Sequence, residues 1–377
     1  MDADQQNQMS IKSLLSVMCK QDASDIYITE GQPPTYRINS QAVPLKSPPL
    51  SSAQCEQLAN SVMNEKQKAE FFEHMDMNLA IAYEGMGRFR VNIFRQRGET
   101  GMVIRKITTD VPTIDDLNLP DVFKEIIMEK RGLVVMVGAT SSGKSTSLAA
   151  MIDHRNRNAA GHILTIEDPI EFIHKHRKSV VTQREVGTDV HTFRAALKNS
   201  LRQAPDLILV GEIRDRETME HALELAETGH VCVATLHANN SNQALERIRN
   251  FFPEELHEQV QMNLGMNMKA IMSQRLVKTI GGGRKAAIEI LVNTSRVADQ
   301  IGKWDVAGIK DTMEAGENYG MITFDQALLK LWRDGDISEE EALVHADAVN
   351  NLRLKIKMAR LSDDGDDGDS SFDALTI

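Results

Sequence analysis

Polar and apolar positions follow two rhythms along this chain, and the change falls near residue 108. Before it, an amphipathic stretch at residues 11–19 leads to a β-like Asp-Ile-Tyr-Ile at 25–28, and the pairs Pro33-Pro34 and Pro48-Pro49 mark turns or loops. A helical segment follows at residues 53–73. Residues 78–83, 88–95 and 101–107 read as short strands, separated by a Gly85-Met86-Gly87 turn and a second turn at 96–99. Strands joined by glycine-containing turns predict an antiparallel meander, and with the helices a small α+β domain over residues 1–107. Phe89, Val91 and Ile93 alternate with Arg88, Arg90 and Asn92, so a strand there puts both arginines on one face. Taken alone, that pattern fits an ordinary solvated sheet face.

Residues 108–120, with Pro112 and Pro120 among acidic and small residues, read as a linker. Beyond it the pattern becomes strand, loop, helix, repeated. The segments 133–137, 163–166, 207–210 and 231–236 are short, nearly all apolar, and separated by helical stretches. Parallel strands covered on both faces read this way, so residues 121–361 are expected to form an α/β nucleotide-binding domain of the RecA type. From about Pro253 the chain is helix-rich, with a hairpin expected only around Gly281, Gly282 and Gly283. The Asp/Gly/Ser sequence of 362–377 cannot bury enough apolar surface to fold and is expected to be disordered.

Composition narrows the classes. A chain of 377 residues is too long for one ordinary core, and 41% hydrophobic with 26% charged residues is a globular balance. No apolar run reaches 18 residues, and the first ten lack the basic and apolar regions of a signal peptide, so a cytoplasmic location is expected. Cys19, Cys55 and Cys232 are isolated, giving neither a disulfide framework nor a metal-type pair. The net charge of −11 is uneven, because six aspartates between 363 and 373 carry more than half of it. No dense basic stripe stands out, and no nucleic-acid partner is expected.

The strongest chemical signal is Gly138, Ala139, Thr140, Ser141, Ser142, Gly143, Lys144, Ser145 and Thr146, directly after the apolar run 133–137. This is the G-x-x-x-x-G-K-[ST] phosphate loop. Its glycines turn the backbone so that successive N–H groups face the α- and β-phosphates, Lys144 reaches the β/γ-phosphates, and Ser145 is the expected Mg2+ ligand. The helix starting at about Lys144 adds its positive dipole end.

Ligands of a doubly wound sheet sit outside the carboxyl ends of its strands. There, 163–166 runs into Glu167, Asp168 and Glu171, 207–210 into Gly211 and Glu212, and 231–236 into His237, with His230 at its start. Phosphoryl transfer needs a carboxylate on the Mg2+ side, which Glu212 fits, although Gly211 stands where an aspartate is usual. The water-positioning base can come from Glu167, Asp168 or Glu171, whose other roles are solvation or, for Asp168 before Pro169, a helix N-cap. The odd separation of the two histidines sends them to opposite faces of a regular strand, and His237 is the better placed to sense a γ-phosphate.

Four ordered boxes, GATSSGKST (138–146), HILTIEDPIEF (162–172), LILVGEIRD (207–215) and ETGHVCVATLHA (227–238), resemble the type II/type IV secretion-ATPase superfamily, most closely its PilT/PilU pilus-retraction ATPases. GRFRVNIFRQR (87–97) and the stretch 271–278 extend the likeness over roughly residues 10–345. The resemblance implies a PAS-like N-terminal domain, a RecA-like ATPase domain and a homohexameric ring at the inner face of the inner membrane, using ATP and Mg2+ to retract a pilus held by a platform protein. It implies that Glu171 is the catalytic glutamate, that Glu212 is the Walker B glutamate, that His230 and His237 form the histidine box, and that Arg88 and Arg90 reach nucleotide, beyond a merely solvated face. Two features depart from PilT-type proteins. Residues 297–304 read VADQIGKW where those proteins carry an arginine-containing AIRNLIRE motif needed for retraction, and the acidic tail is added. Both resemble the accessory retraction ATPases that work with a PilT-type partner.

Three rival readings remain at this stage. An assembly ATPase of the same superfamily commonly carries a four-cysteine zinc module, which three scattered cysteines cannot supply. A nucleotide-binding structural subunit would barely hydrolyse. A DNA translocase would bind DNA in a salt-sensitive way, against the acidic balance.

Overall fold

The computed structural model describes residues 9–38, 41–107 and 110–365. The chain forms two compact units: the described residues up to Val111 with Pro169–His174 and Glu185–His191, and Pro112–Asp168, Lys175–Arg184 and the chain from Thr192 onward. Among the described residues no helix is long and apolar enough to cross a membrane.

In the first unit α1 (Ile11–Lys20) precedes β1 (Asp25–Ile28), β2 (Thr35–Ile38), β3 (Gln41–Pro44), α2 (Ser52–Asn60), α3 (Glu65–His74), β4 (Asp76–Tyr83), β5 (Gly87–Gln96) and β6 (Glu99–Ile107). The strands make one antiparallel sheet, ordered β3-β2-β1-β6-β5-β4. The expected meander is its β4-β5-β6 half. Phe89, Val91 and Ile93 are fully buried in a core with Leu14, Leu15 and Met18 of α1, and the alternation leaves Arg88 and Arg90 on the other face. Across the strands Arg90 stands opposite Ala80 and Arg105, and Arg88 opposite Ala82 and Ile107. The helix expected over 53–73 is two helices, because Asn64 caps a new start. Its side chain accepts from the Gln67 amide, and the Gln67 side chain accepts from the Asn64 amide, a reciprocal pair that favours initiation over continuation.

The second unit is built on α4 (Val122–Ile127), β7 (Gly132–Val137), α5 (Lys144–Asn158), β8 (Gly161–Glu167), β9 (Ser179–Glu185), α6 (Phe193–Ser200), β10 (Leu207–Val210), α7 (Arg216–Glu227), β11 (Val231–Leu236), α8 (Ser241–Asn250), α9 (His257–Asn267), β12 (Met268–Lys278) and β13 (Arg284–Val292). Helices α10 (Ser295–Gly302), α11 (Val306–Glu314), α12 (Phe324–Arg333), α13 (Glu339–Val344) and α14 (Val349–Gly365) follow. The sheet order is β13-β12-β7-β11-β10-β8-β9, with β12, β7, β11, β10 and β8 mutually parallel where they pair. All four strands expected from apolar runs are present. Val134 and Met136 pack with Phe123, Ile127, Leu209 and Val233, while Leu133, Val135 and Val137 are equally buried. At about 1.5–3 kcal/mol for each large aliphatic side chain withdrawn from water, strands covered on both faces, as β7, β10 and β11 are, contribute strongly to the unit's stability. Arg155 of α5 donates to the Ile127 carbonyl at 2.7 Å and the Glu129 carbonyl at 2.8 Å, satisfying groups that the end of α4 leaves open.

The structure departs from the pattern reading in four further places. The hairpin around Gly281–Gly283 has arms of 11 and 9 residues, and β12 pairs with β7, so it extends the central sheet. Strand β9 is an added edge of that sheet. Helix α14 runs on to Gly365, past the expected start of the tail at Ser362, and the remainder of that segment lies outside the described residues. Ile114 and Leu119, in the segment read as a linker, are buried in the core of the second unit.

Candidate active site

Strand β7 delivers the chain straight into the phosphate loop, and α5 begins at Lys144. The loop needs positive φ at Gly138 (151°), Ser141 (64°) and Gly143 (88°). A Cβ at Gly138 would lie 2.5 Å from Ser142 Oγ and 2.6 Å from the Gln274 carbonyl, and one at Gly143 2.7 Å from Gln274 Nε2. Both glycines are therefore required by conformation and by space. Ala139, Thr140 and Ser141 are exposed, Ser142 is buried, and Lys144, Ser145 and Thr146 are half-buried.

Several observations make this cradle fit a polyphosphate. Gly143 has no side chain to satisfy the first amides of α5. Those amides, with the helix dipole, form an anion site. The Lys144 ammonium folds over the loop, donating to the Gly138 carbonyl at 2.7 Å and the Ala139 carbonyl at 2.8 Å. Ser142 Oγ is buried without a hydrogen-bond partner. Mg2+ would be held on the Ser145 hydroxyl beside that cradle.

The carboxyl ends of the central strands align. Val137 stands opposite Leu236 of β11 and Ser273 of β12, and Val210 opposite Ala234 and Ile166. The edge after these positions carries the loop, His237, Glu212 and Glu167. Glu212, with its side chain 18% exposed, is held by Arg214 Nη2 at 2.7 Å and Nε at 2.8 Å, and by His237 Nε2 at 3.1 Å. The carboxylate's hydrogen bonds raise the Arg214 guanidinium above its ordinary value. At Gly211 an added Cβ would meet the Ile166 carbonyl at 3.0 Å and Glu167 Cα at 3.1 Å, so β8 and the turn after it would have to give by a few tenths of an ångström to admit the aspartate usual at that place. Glu167 accepts from Thr165 Oγ1 at 2.6 Å and from Gln183 Nε2 at 3.3 Å.

Asp168 is exposed and caps no helix, because residues 169–178 are irregular. Glu171 is exposed and belongs, with Arg88 and Arg90, to the first unit. Arg88 Nε is buried without a hydrogen-bond partner. His230 sits at the amino end of β11, where its ring contacts the Leu225 carbonyl and Thr228 Oγ1. A six-residue strand puts it roughly 20 Å from His237, on the opposite edge of the sheet from its own chain's phosphate loop.

Pattern reading missed the polar residues of the hairpin that brace this edge. Gln274 of β12 touches the phosphate loop, and Glu289 of β13 holds the start of α8. One oxygen of Glu289 accepts from the Ser241 amide at 2.7 Å, Ser241 Oγ at 2.8 Å and Ser273 Oγ at 3.0 Å. Ser241 closes the segment that begins at His237. Burial pushes the Glu289 carboxyl above the usual range, against those hydrogen bonds and with Asp347 adding to the rise. The folded chain keeps this proton to higher pH than the unfolded one. Its contribution to stability is thus full below the unfolded value of about 4.3 and is lost as pH rises through the raised folded value. Glu289→Gln keeps an oxygen for the three donors and removes the buried charge. It is expected to raise the thermal midpoint at pH 8 by about 2–4 °C, the gain fading towards pH 4. A midpoint below the parent's at pH 8 in thermal melts would contradict this account.

The family model described as type II/IV secretion system protein matches residues 2–321. The chain belongs to that family. It is 53% identical over 356 residues, covering 94% of this chain and 93% of the relative, to the type IV pilus ATPase PilU of Pseudomonas aeruginosa. To the retraction ATPase PilT of the same organism it is 41% identical, over 91% of this chain and all of the relative. Among solved structures it superposes on the pilus retraction motor PilT with bound ADP with a TM-score of 0.87 and 39% identity, over 92% of this chain and 99% of that one. The expected resemblance holds, as does the fold class: a small α+β domain followed by an α/β ATPase domain.

Proposed function

We propose that this chain is a Mg2+-dependent ATPase, acting as a homohexameric motor in type IV pilus retraction at the inner face of the inner membrane, as an accessory to a PilT-type ATPase and against a platform protein. The carrying observation is the formed phosphate loop, with Glu212 and His237 on the same edge of the sheet, in a chain that aligns with PilU and PilT along nearly its whole length. Lys144 and the first amides of α5 bind and orient the phosphates. Ser145 would hold Mg2+, which would supply positive charge to the phosphates. Glu212, steadied by His237 and Arg214, supplies the carboxylate on the side where the metal would sit, and His237 senses the γ-phosphate beside it. Glu171 as water-positioning base, His230 as a nucleotide-box residue, and Arg88 and Arg90 as cationic contacts keep the roles that the resemblance gives them. Loss of the γ-phosphate removes charge that Lys144 holds, and the ring rearranges in response.

The accessory role is supported by residues 297–304, which hold no arginine; α10 covers their first part, and Lys303 there pairs with Asp299 at 2.8 Å. The test is steady-state turnover of the purified chain with and without a PilT-type motor, beside pilus retraction in cells holding either or both. The accessory reading expects turnover by the chain alone but retraction only with the partner. Retraction by this chain alone would overturn the accessory part. Absent turnover in both assays would favour a structural subunit.

A further inference from the structure

Gln274 joins the hairpin strand β12 to the phosphate loop through both ends of its amide. It is buried to 3% exposure; Nε2 donates to the Ser142 carbonyl at 2.8 Å, and Oε1 accepts from Ser147 Oγ at 2.8 Å. The orientation is fixed by chemistry, since a carbonyl only accepts and the amide nitrogen must face it. Its two partners flank Gly143, whose missing Cβ leaves the space that Nε2 occupies, and the Gln274 carbonyl takes the corresponding space at Gly138. One residue of a neighbouring strand thus touches both signature glycines.

A trans peptide points its C=O and N–H in opposite directions. Holding the Ser142 carbonyl against Gln274 turns the Gly143 N–H to the other side of the same peptide, the side on which the loop must receive phosphate. We propose that Gln274 is a positioning residue for nucleotide binding: by bridging Ser142 and Ser147 it presets the 142–143 peptide, so that the loop binds phosphate without reordering. This rests on the ATPase reading above. It also makes β12 the element through which loop and hairpin sense each other.

Two shape-conserving variants separate positioning from packing. Gln274→Met keeps the volume and removes both hydrogen bonds. Gln274→Glu keeps an acceptor for Ser147 but cannot donate to Ser142. Fluorescent-ADP affinity, amide hydrogen exchange of residues 142–145 without nucleotide, and the thermal midpoint are measured for each beside Ser147→Ala. Losing the Ser142 bond is expected to weaken ADP binding roughly 5- to 30-fold in Gln274→Met, and more in Gln274→Glu. Exchange at 142–145 should quicken in both, with the cooperative thermal transition kept. Ser147→Ala, which retains the Ser142 bond, should lose only about 2-fold. Parent-like affinity and exchange in Gln274→Met overturns the proposal, as does equal loss in Ser147→Ala. Loss of the cooperative transition in both Gln274 variants also overturns it, since the residue would then be holding the core. If the parent itself binds no ADP, the nucleotide reading fails, while exchange in the empty loop still decides the role of Gln274.

Discussion

Lys144→Ala is expected to reduce ATP turnover by at least about 10³-fold and to weaken nucleotide binding, with the thermal midpoint of the nucleotide-free protein close to the parent's. On the proposed reading the ammonium is the compact charge offered to the β/γ-phosphates, and preorganised charge near a transferring phosphoryl group is among the largest contributions to rate. Its present hydrogen bonds go to the carbonyls of Gly138 and Ala139, on a loop whose residues 139–141 are exposed. Water can satisfy what the lysine leaves, and alanine suits the first turn of α5, so the fold has little reason to change. Lys144→Arg should also fail, because a planar fork does not reproduce a point charge. Malachite-green turnover and thermal melts on the same preparations check this. A Lys144→Ala protein that hydrolyses ATP at the parent's rate would remove the loop from the chemistry.

How much of this site can be read from the chain depends on how local its physics is. The phosphate loop is legible because strand, turn and helix start are contiguous and each glycine answers a backbone demand within the segment itself. Glu212 and His237 are legible at one remove, since apolar runs locate strand ends and parallel strands align them. Gln274 is not legible. It acts on residues more than 120 positions away, and in its own strand it is a polar interruption of Ile271, Met272, Leu276 and Val277 that no spacing rule singles out. Glu289 is hidden in the same way within Ala-Ile-Glu-Ile-Leu, where a lone carboxylate in an apolar strand reads as an exposed position; only the tertiary contact with Ser241 explains its burial. The split at Asn64 was available locally as a cap followed three residues later by Gln67, and the surrounding polar helix formers masked it. His230 shows the reverse limit. The strand pattern already sends it to the opposite face from His237, only the family resemblance joins the two in one box, and the strand between them carries them to opposite ends of the sheet.

The second large effect is expected at Glu212, and it should separate turnover from binding. Glu212→Gln preserves shape and leaves an oxygen for the Arg214 donors and an amide nitrogen towards His237 Nε2. What it removes is the negative charge that the proposed metal-side role of Glu212 requires. Turnover is expected to fall about 10²- to 10³-fold. ADP affinity should stay within roughly 3-fold, because Lys144 and the amides of α5 carry phosphate binding. The fold should hold, since Arg214 is 62% exposed and an ion pair that open contributes about 0–1 kcal/mol. The pairing with Lys144→Ala is diagnostic: one variant loses binding and turnover together, the other turnover alone, so that Glu212→Gln accumulates nucleotide-bound protein. Equilibrium titration with fluorescent ADP beside steady-state turnover distinguishes them. If Glu212→Gln lost affinity as severely as Lys144→Ala while folded, the carboxylate would be shaping the phosphate cradle, and its place on the metal side of the reaction would have to be given up.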